Sequence, residues 1–262
     1  MKVVNRLFNT EPLILHASGP LHLSPLWSQL QTELFREPRP RQTESRQPYT
    51  FYTWNSGATH SHDPAKKLGT LERCLERLGV PCRVLGSGIR PWKNILKIST
   101  LYDALQDTST PYVIAADSPD VLVLRSPGCA LELFSEFDCE VLYIADSSFW
   151  PPEYQDVKVL EEEIAGASTP FAYLNSGVLI GRTAYCRELF KEGMRLAERH
   201  LAVPYVEGTS GAGSDADDQS IMKRLYLANY PAVQIDMSCV MFQTLTYQDK
   251  RVLRVRRERR IR

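Results

Sequence analysis

Two carboxylates at the end of an apolar run are the side chains best suited to chemistry in this sequence. Residues 111–124 read PYVIAADSPDVLVL, in which Asp117 and Asp120 flank Ser118 and Pro119 between two apolar runs. Paired acids at the end of a buried strand are costly unless a cation neutralises them. Divalent cations such as Mn²⁺ and Mg²⁺ prefer carboxylate oxygen. The pattern therefore predicts a metal site, against the alternative of a strand followed by an acidic surface turn.

Three further segments carry polar side chains that a ligand could meet. YLNSGVLIG places Asn175 beside two glycines, which let a ligand approach the backbone. SDADDQ places Asp217 and Asp218 at the start of a predicted helix, with more acids than a helix cap needs. QIDMSCVMFQ (residues 234–243) ends in an aromatic residue and an amide. Together with the first pair of acids, these segments predict one site assembled from four parts of the chain.

The elements that must bring these groups together alternate along the chain. Strands are predicted at 12–17, 49–54, 82–85, 112–116, 121–124, 140–145 and 232–236, the last as the final core strand. Helices are predicted at 21–35, 63–78, 92–105, 129–137, 185–200 and 219–227, and a long loop with short helical pieces at 146–169. This alternation predicts an α/β fold with a mainly parallel sheet. In such sheets ligands bind beyond the carboxyl ends of the strands.

The four segments, in this order and at this spacing, resemble the glycosyltransferase domain of the procollagen lysyl hydroxylase family. The resemblance covers residues 49–262 and includes SFWPPEY (148–154) ahead of the asparagine segment. It implies a single GT-A domain, which is Rossmann-like, with a mixed, mainly parallel sheet flanked by helices. It also implies Mn²⁺ (or Mg²⁺) as the metal, a UDP-sugar as the donor, and transfer of glucose to galactosyl-hydroxylysine with retention.

The resemblance assigns roles to individual residues. The metal-holding acids of the family correspond to Asp117 and Asp120. Its loop asparagine and its acidic cluster face the sugar, which assigns Asn175, Asp217 and Asp218 to catalysis.

Five residues are predicted to bind the UDP-sugar: Thr53, Trp54, Lys93, Ser118 and Trp150. Thr53 and Trp54 stand at the end of a predicted strand, where they are placed to meet uracil. Trp150 corresponds to the family's tryptophan and could stack on a sugar face. Lys93, or Lys97 in its place, would add a positive contact to the pyrophosphate.

One departure from the family concerns the histidine that closes its metal site. In the family that histidine follows the basic stretch, whereas this sequence stops within the basic stretch. Residues 5–20, NRLFNTEPLILHASGP, resemble the missing tail, so His16 is the third predicted metal ligand and Ser18 replaces an asparagine. Circular permutation explains this order, with 1–36 as the displaced segment and 37–48 as a linker. Alternatively, His16 completes the site of a neighbouring copy in an array.

Composition bears on the partners and the compartment. The 31 basic and 31 acidic residues cancel, so no overall field recruits nucleic acid. Residues 250–262 carry eight basic residues and one acid, which predicts a solvated tail or a basic edge strand. No apolar run approaches the ~18 residues of a membrane span, and no signal peptide is visible. We therefore expect a soluble protein, cytoplasmic if the chain is complete, with six free cysteines.

Three alternatives to the implied activity remain open from the sequence. The first is a glycosyltransferase with a different acceptor, such as a glycan, hydroxylysine or another hydroxyl compound. The second is a catalytically degenerate domain that binds a sugar or a protein without turnover. The third is a metal-dependent phosphohydrolase that uses the same acids, although the sequence lacks a convincing nucleophile for it.

Overall fold

The computed structural model describes residues 2–37, 47–57, 68–201, 217–245 and 253–256. Its strands are β1 (Lys2–Asn5), β2 (Ile14–His16), β3 (Tyr49–Trp54), β4 (Arg83–Leu85), β5 (Tyr112–Asp117), β6 (Val121–Val123), β7 (Val141–Asp146), β8 (Tyr173–Arg182), β9 (Val233–Ile235), β10 (Phe242–Thr244) and β11 (Leu253–Arg256). Its α-helices are α1 (Pro25–Arg36), α2 (Thr70–Leu78), α3 (Leu96–Gln106), α4 (Pro127–Phe134), α5 (Gln155–Ala165), α6 (Thr183–Leu201) and α7 (Asp218–Asn229). Two short 3-10 helices span Gly19–Leu23 and Gly166–Ser168.

Six strands form the central sheet, in the order β4–β3–β5–β8–β7–β9. Strand β8 runs antiparallel to both of its neighbours, β5 and β7. The other neighbouring pairs in this sheet are parallel. The predicted α/β fold with a mixed, mainly parallel sheet flanked by helices is therefore confirmed.

The central sheet is covered on both faces because side chains along its strands alternate between two apolar cores. In β5, Ile114 and Ala116 pack in the core that contains residues of α1, α2 and α4. Val113 and Ala115 pack in the core that contains residues of α3, α6 and α7. A strand buried on both faces appears in the sequence as a continuous apolar run, which is why β5 could be predicted.

The N-terminal segment packs against its own chain, beside the predicted metal acids. Strand β2 lies between β10 and β6, parallel to the first and antiparallel to the second. Just after β2, the amide of Ala17 donates to the carbonyl oxygen of Asp120 at 2.8 Å. Strand β1 pairs antiparallel with β11, which makes the predicted basic edge strand one half of a two-stranded ribbon. His16 is therefore held next to residue 120 by main-chain hydrogen bonds.

Two predicted elements differ from the structure. Residues 146–169, predicted as a long loop with short helical pieces, contain the 11-residue helix α5, whose buried positions are Val157, Glu161 and Ala165. These positions recur every four residues, but the central one is an acid, so the apolar periodicity is broken. The prediction of 232–236 as the final core strand is also wrong, because the buried strand β10 follows it. Two of the three residues of β10, Gln243 and Thr244, are polar, so the strand has no apolar run by which it could be predicted.

Some predictions fall on residues outside the described ranges. They are the helix start at residues 63–67, most of the linker 37–48, and the acidic segment before residue 217. The helix predicted at 63–78 ends where expected, because Gly79 follows its last residue in the left-handed conformation, with a φ of 68°. All six cysteines are free thiols, as expected. Among the helices of the described ranges, none combines the length and apolarity needed to cross a bilayer.

Candidate metal centre

A cleft of about 720 Å³ opens where β2, β3 and β5 end and α7 begins. Strands β3 and β5 are parallel and in register, with Trp54 opposite Asp117, so both deliver their last side chains to the same edge. Nine predicted site residues line the cleft: His16, Trp54, Asp117, Ser118, Asp120, Trp150, Asn175, Asp217 and Asp218. The fold thus brings together side chains from six separate segments of the chain.

His16, Asp117 and Asp120 form the innermost group. The Nε2 atom of His16 lies 3.5 Å from Asp120 Oδ2 and 3.9 Å from Asp117 Oδ2. One ligand atom from each residue lies within 4.8 Å of the other two. Asp120 Oδ1 and His16 Nδ1 are buried and have no hydrogen-bond partner in the described part of the chain. Two carboxylates and an imidazole, with an orphaned carboxylate oxygen, fit a divalent cation such as Mn²⁺.

Burial and mutual attraction shift the pKa values of this group. Burial opposes the charging of His16, but the Asp120 and Asp117 carboxylates together outweigh burial and raise the pKa of His16. The same attraction outweighs burial at Asp120 and lowers its pKa. At Asp117 burial outweighs the nearby Lys97, and the pKa of Asp117 is raised. Because a metal requires neutral imidazole and ionised carboxylates, its affinity should weaken as pH falls through the pKa of His16.

Gly177 makes room for the imidazole ring. A Cβ atom at this position would lie 2.3 Å from His16 Cε1 and 2.8 Å from His16 Nδ1. Cβ atoms in proteins do not lie this close to another side chain. Because His16 is only 3% exposed, its ring has little room to move away. Gly177, in the YLNSG segment, is therefore needed to leave space for the His16 ring from the N-terminal segment.

We expect Gly177→Ala to weaken Mn²⁺ binding about 10- to 100-fold, the range seen when residues that orient metal ligands are changed. The new methyl group would push the His16 ring away from the two aspartates. Titration of free Mn²⁺ by electron paramagnetic resonance measures the affinity directly. Gly193→Ala in α6 is the control, because its methyl group would meet the ends of Ile98 and Met222 at 3.2 Å. Native affinity in Gly177→Ala would show that His16 does not hold the metal.

Lys97 links the metal acids to the second acidic pair. Its Nζ atom lies 2.7 Å from Asp117 Oδ1 and 3.5 Å from Asp218 Oδ2. Burial alone would lower the pKa of Lys97, but Asp117 and Asp218 outweigh burial and raise it. Lys97 is therefore a permanent positive charge between the two acidic groups, at a position that a phosphate could share.

The opposite wall of the cleft is a network around Asp146, at the end of β7. Asp146 Oδ2 accepts hydrogen bonds from Asn175 Nδ2 at 3.1 Å and from Ser18 Oγ at 3.2 Å. The single side-chain oxygen of Asn175, Oδ1, accepts a hydrogen bond from the amide of Gly177 at 2.9 Å. The N-terminal segment thus touches both the metal acids and this wall.

Trp150 and Asp217 meet at the mouth of the cleft. The indole Nε1 of Trp150 donates to Asp217 Oδ2 at 3.3 Å, while the ring remains 42% exposed. Asp217 also caps α7, accepting from the amide of Gln219. Burial and the neighbouring Asp218 raise the pKa of Asp217 to about 7. Asp217 can therefore exchange a proton near neutral pH, as a general base must.

The raised pKa makes a prediction about stability. The folded chain retains the Asp217 proton up to about pH 7, whereas the unfolded chain releases it near its ordinary pKa. Between these values the folded state binds more protons, so this carboxyl lowers the free energy of unfolding as pH rises. Asp217→Asn, which keeps the helix cap, should remove that decline.

Urea unfolding of both proteins between about pH 5 and about pH 8 measures this difference. We expect the variant to gain stability relative to the native chain as pH rises. Asp103→Asn changes an exposed carboxyl in α3 and should follow the native curve. A stability difference that stays constant with pH would contradict the assignment.

Two predicted donor-binding residues do not line the cleft. Thr53 is fully buried, and its hydroxyl donates to the carbonyl oxygen of Ala116 within the sheet at 2.8 Å. Successive side chains of a strand face opposite ways, so only Trp54 of this pair turns to the cleft. Lys93 precedes α3 and lies outside the lining, whereas Lys97 lies within it.

Two residues of the site were missed in the sequence. Asp146 follows the apolar run VLYIA, the same signal that identified Asp117, and could have been found by it. Glu72 carries no such signal, but its carboxylate accepts from Ser118 Oγ and from Asn55 Nδ2, both at 2.7 Å. It therefore ties the loop between the two metal acids to the loop after β3.

Comparison of the chain with models of protein families and with curated proteins finds no match. The class of protein is accordingly defined by its own fold and site. It is an α/β protein with a candidate divalent metal centre at the floor of a large cleft.

Proposed function

We propose that this chain is a metal-dependent glycosyltransferase of the GT-A type, which transfers a sugar from a UDP-sugar to a hydroxyl acceptor. The observation that carries the proposal is the convergence of His16 with Asp117 and Asp120 beside a second acidic pair and two tryptophans. The mixed sheet, with its acids at the carboxyl edge, supports the GT-A assignment. Glucose as the sugar and hydroxylysine-linked galactose as the acceptor rest on the family resemblance.

The donor half of the site contains charge and aromatic surface suited to a nucleoside diphosphate. A divalent cation bound by His16, Asp117 and Asp120 would neutralise the charge that develops on the departing diphosphate. Lys97 supplies a second, permanent positive charge at the same place. Trp54 lines the cleft, and its buried indole Nε1 has no partner among the described residues, which leaves it a donor for a base or a ribose.

The sugar half of the site contains hydrogen-bonding groups and one group with a suitable pKa. Asn175 and Asp146 offer an amide and a carboxylate to sugar hydroxyls. Asp217, whose pKa is raised to about 7, can accept the proton of the acceptor hydroxyl. Trp150 presents an exposed ring face on which a sugar can stack.

The test is release of UDP from UDP-glucose by the purified chain, with and without Mn²⁺, followed by transfer to a galactosyl-hydroxylysine peptide. We expect UDP release that requires the metal and stops when a chelator is added. Failure to bind UDP at all, in the presence of Mn²⁺, would overturn the proposal. Transfer to glycans but not to the peptide would support another acceptor.

One observation favours the degenerate binding domain as a second candidate. Lys97 already neutralises Asp117, so the acidic group is partly compensated without a metal. Such a domain would bind UDP or a sugar with little dependence on Mn²⁺ and would release no UDP. The same experiment therefore separates the two candidates.

A further inference from the structure

A buried ion pair lies directly behind the sugar half of the cleft. Lys223 of α7 and Glu161 of α5 have side chains that are 1% and 0% exposed, and Nζ lies 2.6 Å from Oε2. The other oxygen of Glu161 accepts the amide of Leu174 at 2.9 Å. Leu174 immediately precedes Asn175 in β8. The pair thus joins α5 and α7 to the start of the strand that carries the cleft asparagine.

The same ammonium lies against the aromatic rings beneath Trp150. Lys223 Nζ is 4.7 Å from the ring centroid of Phe149 and 5.7 Å from that of Tyr173. These two rings meet edge to face with centroids 5.3 Å apart. Attraction between a cation and an aromatic face strengthens when the cation is removed from water. Phe149 directly precedes Trp150 in the chain. The contact between Lys223 and the Phe149 ring therefore fixes the position of the main chain that leads into Trp150.

Two hydrogen bonds continue the attachment to the first turn of α7. Gln219 Nε2 donates to the carbonyl oxygen of Trp150 at 3.0 Å, and the Trp150 indole donates to Asp217. Lys223 follows Gln219 by four residues, so both project from the same side of the helix. Three side chains of α7 and its N-cap therefore hold the loop that contains Trp150: those of Asp217, Gln219 and Lys223. Lys223 is the most deeply buried of the three.

Stability alone is a weak explanation for a buried ion pair of this kind. Replacing a buried ion pair with apolar side chains of similar size is often neutral or stabilising. Apolar side chains could fill the space, but they could neither accept the Leu174 amide nor attract the face of the Phe149 ring. What the ion pair adds beyond burial is its contact with the Leu174 amide and with the Phe149 ring.

We propose that Lys223 and Glu161 are positioning residues, which hold Trp150 and Asn175 in place for the sugar half of the cleft. Neither residue lines the cleft, so each acts through its neighbours. The structural part of the proposal is independent of the activity. Its catalytic consequence rests on the proposed glycosyltransferase function.

The structural test reads the hydrogen bond of Trp150 in the full chain. The chain has four tryptophans, so ¹⁵N labelling of the indoles gives a four-signal spectrum, in which Trp150→Phe identifies one signal. In the double variant Lys223→Met, Glu161→Leu, we expect exchange of the Trp150 indole proton with water to accelerate about 10-fold or more, as local contacts open. The buried Trp27 should keep its native signal and report the intact fold. A native exchange rate at Trp150 in the folded variant would overturn the proposal.

The kinetic test separates positioning from folding. With UDP-glucose as substrate, we expect kcat of the double variant to fall about 10-fold or more, while KM and Mn²⁺ affinity change by less than about 3-fold. An unchanged kcat would overturn the proposal. If the native chain itself releases no UDP, the proposed function fails, and the indole exchange rate still decides the positioning role.

Two further variants complete the design. Glu188→Leu with Lys191→Met makes the same changes in an exposed ion pair of α6 and should leave Trp150 exchange at the native rate. If the buried double variant does not fold, Phe149→Leu removes the ring above the ammonium but retains the ion pair. We expect it to accelerate Trp150 exchange as well. Native exchange in Phe149→Leu would overturn the proposal.

Discussion

Asp120→Asn is expected to weaken Mn²⁺ binding by about 100-fold or more, beyond the 10- to 100-fold effect of residues that only orient metal ligands. Asp120 Oδ2 lies 3.5 Å from His16 Nε2, and its Oδ1 is buried without a partner in the described part of the chain. Asparagine retains the size of the side chain and loses its negative charge. The variant therefore tests the charge of the site and leaves its packing unchanged.

Calorimetry with MnCl₂ alone measures this effect, so that no assumption about the donor enters. Asp103→Asn in α3 changes an exposed carboxyl and should bind Mn²⁺ as the native chain does. Native Mn²⁺ affinity in a folded Asp120→Asn protein would remove the metal site from this cleft. It would also favour the candidate in which Lys97 alone compensates Asp117.

Asp218→Asn is expected to slow sugar transfer about 100-fold, in the range of a lost acid–base or orienting group, with little change in UDP affinity. Asp218 is 3% exposed, and its carboxylate lies 3.5 Å from Lys97 Nζ. Removing the charge of Asp218 would leave the Lys97 ammonium paired with Asp117. The sugar would also lose a carboxylate that orients it. The diphosphate would keep both the metal site and Lys97.

Separate measurements of UDP binding and of turnover test this role. Asp156→Asn is a matched control, since Asp156 stands in the first turn of α5 as Asp218 does in the first turn of α7, but is exposed. If UDP affinity fell as far as turnover in Asp218→Asn, Asp218 would serve the nucleotide through Lys97. The division of the cleft into donor and sugar halves would then be wrong.

The groups that could be predicted are those whose signal is local. Asp117 follows a run of apolar residues that any buried strand requires, and Asp217 opens a helix whose apolar side chains recur at helical spacing. Asp146 follows an equivalent run and belongs to the same category, although it was missed. For these residues the neighbouring sequence already carries the physical cause of their position.

The α/β class, the burial of the central strands and the acids at their ends could be predicted from the residues, because each depends on neighbours along the chain. Contacts between residues that are distant in sequence depend on how the whole chain folds. His16 reaches the acids because β2 is inserted between β6 and β10. Lys97 lies in the first turn of α3, lines the cleft and contacts Asp117, whereas Lys93 precedes the helix and lies outside the cleft lining. Partners such as these depend on strand order and helix rotation, which local periodicity does not encode.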